Sequence, residues 1–149
     1  MDNKTLTKKS IDEKLKEYKD LFSFFVDPMD KFSQIIDMGK NAQGLAEDDK
    51  NDSTKISGCT SQAWVKCSKN IDETFSIHTD SDAFIVKGLL HILESVCNNR
   101  NIAEIESIEA SYILEKIGLN QNITSQRTNG FISAIGKIKT DVGKIANAN

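Results

Sequence analysis

The sequence holds no excess of basic residues, no long apolar run, no C-x-x-C pair and only two histidines. Nineteen lysines and arginines stand against 22 aspartates and glutamates, a formal net charge of −3, and the lysines are spread along the chain. A dedicated nucleic-acid binder needs a basic footprint, and none is gathered here. No apolar run approaches the roughly 20 residues that span a bilayer, and Met1 to Ser10 is polar, without the apolar segment of a secretory signal. The expectation is a soluble, cytoplasmic protein with neither nucleic acid nor membrane as partner. The cysteines, at 59, 67 and 97, are odd in number and unclustered, which argues against a disulfide framework and suits a reducing compartment. His78 and His91 each stand alone, so no zinc-ligand spacing exists; no metal is expected, and both histidines read as structural.

What is present suits one domain over residues 1–149, with 1–9 as a flexible lead, able to bury about 68–70% of the surface exposed by the unfolded chain. Ser10 and Glu13 form a capping box, opening a helix whose inward stripe is Leu15, Tyr18, Leu21, Phe22 and Phe25. Asp27-Pro28 restarts the helix, with Phe32, Ile35 and Ile36 inward and Gly39 as its stop. Lys40 to Lys55 is polar and irregular and reads as a solvated connection. Alternation over Ala63, Val65 and Cys67, and over Phe75 and Ile77, predicts a hairpin, with Lys55 and Ile56 as a short third strand. Asp80-Ser81-Asp82 reads as the cap of a long buried helix carrying Ile85, Val86, Leu89, Leu90, Ile92, Leu93, Val96 and Cys97. Asn101 and Glu104 cap a further stretch, expected to bend near Ser111 and to end at Gly118. The last helix opens at Thr124-Ser125 and turns Phe131, Ile135, Ile138, Val142 and Ile145 inward. Arg127 and Gly130 near its start are poor choices for helix stability, and such misfits are where functional contacts are expected.

Of the three thiols, Cys67 and Cys97 fall on apolar faces, whereas Cys59 follows Gly58 in a run of small polar residues. Glycine permits backbone angles closed to other residues, and Ser57, Thr60 and Ser61 are loop formers, so Cys59 is placed at a bend from which a thiol can reach another molecule. In free protein the loop is expected to shelter Cys59 against nearby apolar surface, opening when a partner docks.

The run Gly58-Cys59-Thr60-Ser61-Gln62-Ala63-Trp64 resembles the cysteine motif of the SufE family, sulfur acceptors of cysteine desulfurases. Two further stretches are similar to family motifs in the same order: Asp80-Ser81-Asp82-Ala83 running into Ile85-Val86-Lys87-Gly88-Leu89, and Gly118-Leu119 leading to Ser125-x-Arg127-x-Asn129-Gly130. Ser125 replaces the family's usual proline, and Phe131 its leucine; the resemblance spans about Tyr18 to Val142. It implies an α+β fold, a small antiparallel sheet of about three strands with helices packed against it, as in IscU-type scaffolds. It implies that Cys59 takes persulfide sulfur from a desulfurase, supported by Gly58, Ser61 and Gln62, while Arg127, Asp82 and Asn129 dock the partner. Pyridoxal phosphate would belong to that partner, this chain would carry no cofactor, and a downstream iron–sulfur scaffold would be the recipient, from a monomer or weak homodimer. Two alternatives remain at this point: a cluster scaffold of IscU type, and sulfur relay to tRNA or cofactor thiolation. A cysteine hydrolase would need a histidine base, and neither histidine lies in a recognisable motif.

Overall fold

The computed structural model describes residues 9–58 and 61–148. Six α-helices and one hairpin follow in the order α1 (Ile11–Ser23), α2 (Pro28–Asn41), β1 (Ala63–Lys69), β2 (Phe75–Ser81), α3 (Phe84–Cys97), α4 (Ile102–Glu106), α5 (Ala110–Lys116) and α6 (Ser125–Ala146). The N-terminal elements form as their caps dictate. Ser10 and Glu13 exchange side-chain bonds with each other's amides, and Asp27 accepts from the Met29 amide with Pro28 in the first turn. Leu15, Phe22 and Ile35 are fully buried, and Tyr18 and Phe32 pack against the same core.

Helix α3 is the centre of the molecule. Leu89, Leu90, Ile92, Leu93, Val96 and Cys97 are all buried, and α3 packs on α2, on the hairpin and on α6. Its seam with α2 is built on two glycines. A Cβ at Gly39 would run into the Phe84 carbonyl, and one at Gly88 into the Ile35 carbonyl, so the two backbones touch where a larger residue would hold them apart. Gly39 therefore lies inside α2 as a packing residue and does not stop the helix, which continues to Asn41.

The hairpin is antiparallel, pairing Ala63 with Ser81 through Lys69 with Phe75. Among the described residues it is a two-stranded sheet, not three: Lys55 adds only an isolated bridge to Trp64. The outer edge of β2 is closed mainly by the end of α3. Asn98 bonds both the amide and the carbonyl of Ile77, Glu94 accepts from the amide and hydroxyl of Thr79, and the Arg100 carbonyl accepts from the Phe75 amide. Edge groups that would otherwise template another strand are thus satisfied without a third one.

Three further expectations are corrected. Asp80-Ser81-Asp82 does not cap α3 as a unit: Asp80 and Ser81 belong to β2, and the N-cap residue is Ala83, whose side chain makes no capping bond. The break after α4 falls at Ser107–Glu109, ahead of Ser111, which lies within α5. Residues 42–55 are irregular but not merely solvated, because a 3-10 turn at Glu47–Asp49 folds back and Leu45 and Lys50 bond to buried Asp80. At the far end, Gly118 (φ +81°) closes α5 and Leu119 behind it is fully buried, and Thr124 caps α6 through the Arg127 amide. Among the described residues, no helix is long and apolar enough to cross a membrane.

Candidate functional site

Cys59 and Thr60 lie outside the described residues, so the site is built from what flanks them. On the N-terminal side, Thr54 to Ile56 run antiparallel to Ala63–Val65: the Ile56 amide donates to the Ala63 carbonyl at 2.8 Å, and the Val65 amide to the Thr54 carbonyl at 2.8 Å. These two bonds close the base of an excursion over residues 57–62, the stretch of sequence that contains Cys59. Gly58 enters it at φ +84°, where glycine avoids the strain of a side chain, and a Cβ there would lie 3.1 Å from the Ser133 hydroxyl on α6. Lys137, one turn further along α6, donates to the Ser53 carbonyl at 2.8 Å and pairs with Asp141. The first arm therefore rests on α6.

The second arm is held by the end of β2. The Gln62 amide donates to the Asp82 carboxylate at 3.1 Å, the Asp82 amide returns a bond to the Gln62 carbonyl at 3.1 Å, and the Ser81 hydroxyl donates to the same carbonyl at 2.8 Å. Asp82 and Gln62, taken from the sequence as partner-binding and loop-support residues, thus meet each other across the base of the excursion. Both are exposed.

Asp80 is the residue the sequence reading misplaced. Its side chain is 5% exposed, and it accepts from the Leu45 amide at 2.9 Å and the Ser81 amide at 2.8 Å. Lys50 lies 3.2 Å away and Lys87 3.4 Å. Burial pushes the Asp80 carboxyl up, but the Leu45 and Ser81 amides and the Lys50 and Lys87 ammonium groups outweigh it and hold the group below the ordinary aspartate value. Gly44 (φ +74°) lets the connection pass this close, since a Cβ there would sit 2.6 Å from Asp80 Oδ2. Lys50 also lies over the ring of Trp64, 5.4 Å from its centroid, and Trp64 is the cross-strand partner of Asp80. The aspartate and lysine of Asp80-Ser81-Asp82-Ala83…Lys87-Gly88 are therefore a physical pair, and the glycine beside them is the α2–α3 contact. Alternation along β2 puts Asp80 on the face expected to meet solvent; what covers that face is a segment more than 30 positions earlier, which no local signal reveals.

Beside the second arm lies a cavity of about 200 Å³. Ile85, Val86, Leu89, Leu90 and Phe131 supply its apolar lining, and Ser61, Thr124, Gln126 and Arg127 its polar part. Arg127 is half-buried there, in the first turn of a helix that has no acidic residue in that turn. Gly130 is buried and lines the same cavity, one turn inward from Arg127. The structure thus brings Ser61 and Arg127 to one cavity. Asn129, two residues on and so about 200° around the helix, is exposed and takes no part in the lining.

The other two thiols are poor nucleophiles. Burial pushes Cys67, half-buried on β1, up to about 12, and Cys97, buried at the end of α3, also up to about 12. Both are protonated at neutral pH, and exchange chemistry needs the thiolate. His78 is exposed on β2, and His91 lies on α3 with its ring 3.9 Å from Glu94.

Comparison with known proteins follows the same residues. The family model described as SufE, Fe–S metabolism associated domain, matches residues 16–142. An uncharacterised SufE-like protein of Rhizobium etli is 35% identical over 125 residues, covering 82% of this chain and 84% of its own. One from Rhizobium meliloti is 34% identical over 125 residues, covering 82% and 89%. A hypothetical protein of Thermus thermophilus, solved in solution, superimposes with a TM-score of 0.70 over 89% of this chain and 96% of its own; at 14% identity the likeness is one of fold.

Proposed function

This chain belongs to the SufE family, whose members work with cysteine desulfurases in sulfur transfer, and from that premise we propose that it accepts persulfide sulfur on Cys59, stimulates the desulfurase and delivers the sulfur for iron–sulfur cluster assembly. The step is an exchange at sulfur. The Cys59 thiolate attacks the outer sulfur of the desulfurase persulfide, a new S–S bond forms on Cys59, the old one breaks, and the desulfurase cysteine leaves as thiolate. No net oxidation or reduction occurs, and the pyridoxal phosphate that generates the persulfide belongs to the desulfurase.

The observation that carries this reading is the setting of the excursion. It is closed at its base by Ile56 and Ala63, and its second arm opens on a cavity shared by Ser61 and Arg127, within a domain of this family. Apolar surface beside Ser61, two positions from Cys59 in sequence, suits a sulfur that must be kept from other thiols, and Arg127, exposed Asp82 and exposed Asn129 offer charged and polar groups for docking. A cluster scaffold of IscU type would need several ligands; Cys67 and Cys97, pushed up by burial, are poorly suited to that task.

The test is intact mass of the chain after incubation with a cysteine desulfurase, cysteine and pyridoxal phosphate. The parent gains sulfur in a form that reductant removes, and Cys59→Ser gains none and fails to stimulate the desulfurase. Arg127→Glu weakens desulfurase binding with thermal stability nearly unchanged. Full stimulation by Cys59→Ser ends the reading. Supplying either an iron–sulfur scaffold or a thiolation acceptor afterwards separates the two destinations of the sulfur.

A further inference from the structure

Asp80 raises a question that fold stability does not answer. Withdrawing the Asp80 carboxylate from water against two partly exposed lysines is costly, and a buried ionic group is often no more stabilising than an apolar residue of the same volume. A carboxylate does what an apolar residue cannot: it takes two amides and two lysines from three separate segments at defined angles. Those segments are the 44–50 connection (Leu45 amide, Lys50), the end of β2 (Ser81 amide) and the first turns of α3 (Lys87). The first two lead into the acceptor region, and the third lines the cavity beside Ser61. The connection feeds the arm through Ser53 and Ile56, Lys50 covers Trp64 at the foot of the second arm, and Ser81 and Asp82, next in sequence to Asp80, hold Gln62. Glu47, which also pairs with Lys50, is exposed and is the remaining charged group on the cluster.

We propose that Asp80 is a positioning residue for sulfur acceptance: its carboxylate fixes the relative placement of the two arms that carry position 59, and so sets how often the thiol is aligned for attack. This rests on the sulfur-acceptor reading above. Alignment enters the rate of the exchange step, while docking affinity depends on the surface the desulfurase touches, so loss of the Asp80 charge should lower the saturating rate and leave the half-saturating concentration alone.

Two variants test this from opposite sides. Asp80→Asn keeps the shape and removes the charge; Gly44→Ala leaves β2 intact and drives a methyl into Asp80 Oδ2 from the connection. Each is titrated into a desulfurase with cysteine in excess, and in parallel the alkylation rate of Cys59 in the free chain is read by peptide mass. Both are expected to lower the saturating stimulated rate about tenfold, to keep the half-saturating concentration within about twofold, and to change the alkylation rate of Cys59 but not of Cys67 or Cys97. A folded variant with parental saturating rate and parental alkylation overturns the proposal, as does a change confined to the half-saturating concentration, which would put the cluster in the docking surface. If Asp80→Asn does not fold, Gly44→Ala decides; if neither folds, the cluster is a folding determinant and the positioning role falls. Should the parent itself take up no sulfur, the proposed function fails, and the alkylation rates still decide whether Asp80 governs the setting of Cys59.

Discussion

At the turn end of the hairpin, residues 70–74 are held chiefly by one another, with one longer tie in which the Asn70 side-chain amide donates to the Asn99 side-chain oxygen at 3.4 Å. The Asn70 amide donates to the Thr74 carbonyl, the Asp72 carboxylate takes the Thr74 amide, and Asn70 joins its side chain to Thr74 and Ser76, all within six positions. At the end that flanks position 59 the ties are long: Gln62 to Asp82 across 20 positions, Leu45 to Asp80 across 35 and Ser53 to Lys137 across 84. Most ties at the first end need only its own residues in place. The second exists only when the connection, β2, α3 and α6 have all assembled. On the proposed sulfur-acceptor reading, a loop that hands on sulfur gains from the second construction, and a turn that only reverses the chain has no use for it.

The contrast is broken most severely at Asp80. Asp80→Ala leaves Lys50, Lys87 and two amides without their carboxylate and is expected to cost about 2 kcal/mol in denaturant unfolding, together with a loss of stimulated desulfurase rate. Acid acts on the same group more gently. Because the folded-state value of Asp80 is held below the ordinary one, its contribution is full above the unfolded value of about 3.9 and is lost as pH falls through the lower folded value. Below about pH 4, therefore, the melting temperature of the parent should fall more steeply than that of Asp80→Asn, and parallel acid arms would deny Asp80 this role.

At the turn end the expected effects are smaller and leave function alone. Asp72→Ala removes the acceptor of the Thr74 amide at an exposed site and should cost about 0.5–1 kcal/mol, with sulfur loading unchanged. Any loss of loading there would mean that the two ends are coupled through the strands. The smallest effect is expected at Glu73, which holds φ +69°, a conformation a side chain disfavours. Glu73→Gly should stabilise the chain by about 0.5 kcal/mol, the relieved strain exceeding the entropy glycine adds to the unfolded state and the loss of an exposed pair with Lys69.

Much of the architecture follows from short-range rules. The caps at Ser10, Asp27, Asn101 and Thr124 all form, the hairpin runs where alternation places it, and the apolar stripes of α3 and α6 are buried. Each of these depends on residues within a few positions of one another, which the sequence displays directly. The motif around Cys59 is legible for the same reason.

What lay beyond the sequence was decided by segments meeting across the fold. The sequence offers Gly39 as a helix stop and Gly88 as a helix residue, with nothing to bring them together; only the α2–α3 approach makes them the seam. A capping pattern at Asp80-Ser81-Asp82 was plausible by composition, yet β2 extends through Ser81, and the connection folded over its outer face turns Asp80 into a buried anchor. Arg127 could be singled out as a misfit in its first turn, but that it shares a cavity with Ser61 depends on how α6 lies against α3. The sequence by itself determined the elements, their caps and the motif that holds the candidate acceptor cysteine, because these are set by neighbours along the chain. The tertiary structure alone decided which carboxylate is buried, which glycines touch and which arginine shares a cavity with Ser61, because each needs two surfaces that are far apart in sequence and meet only when the core closes.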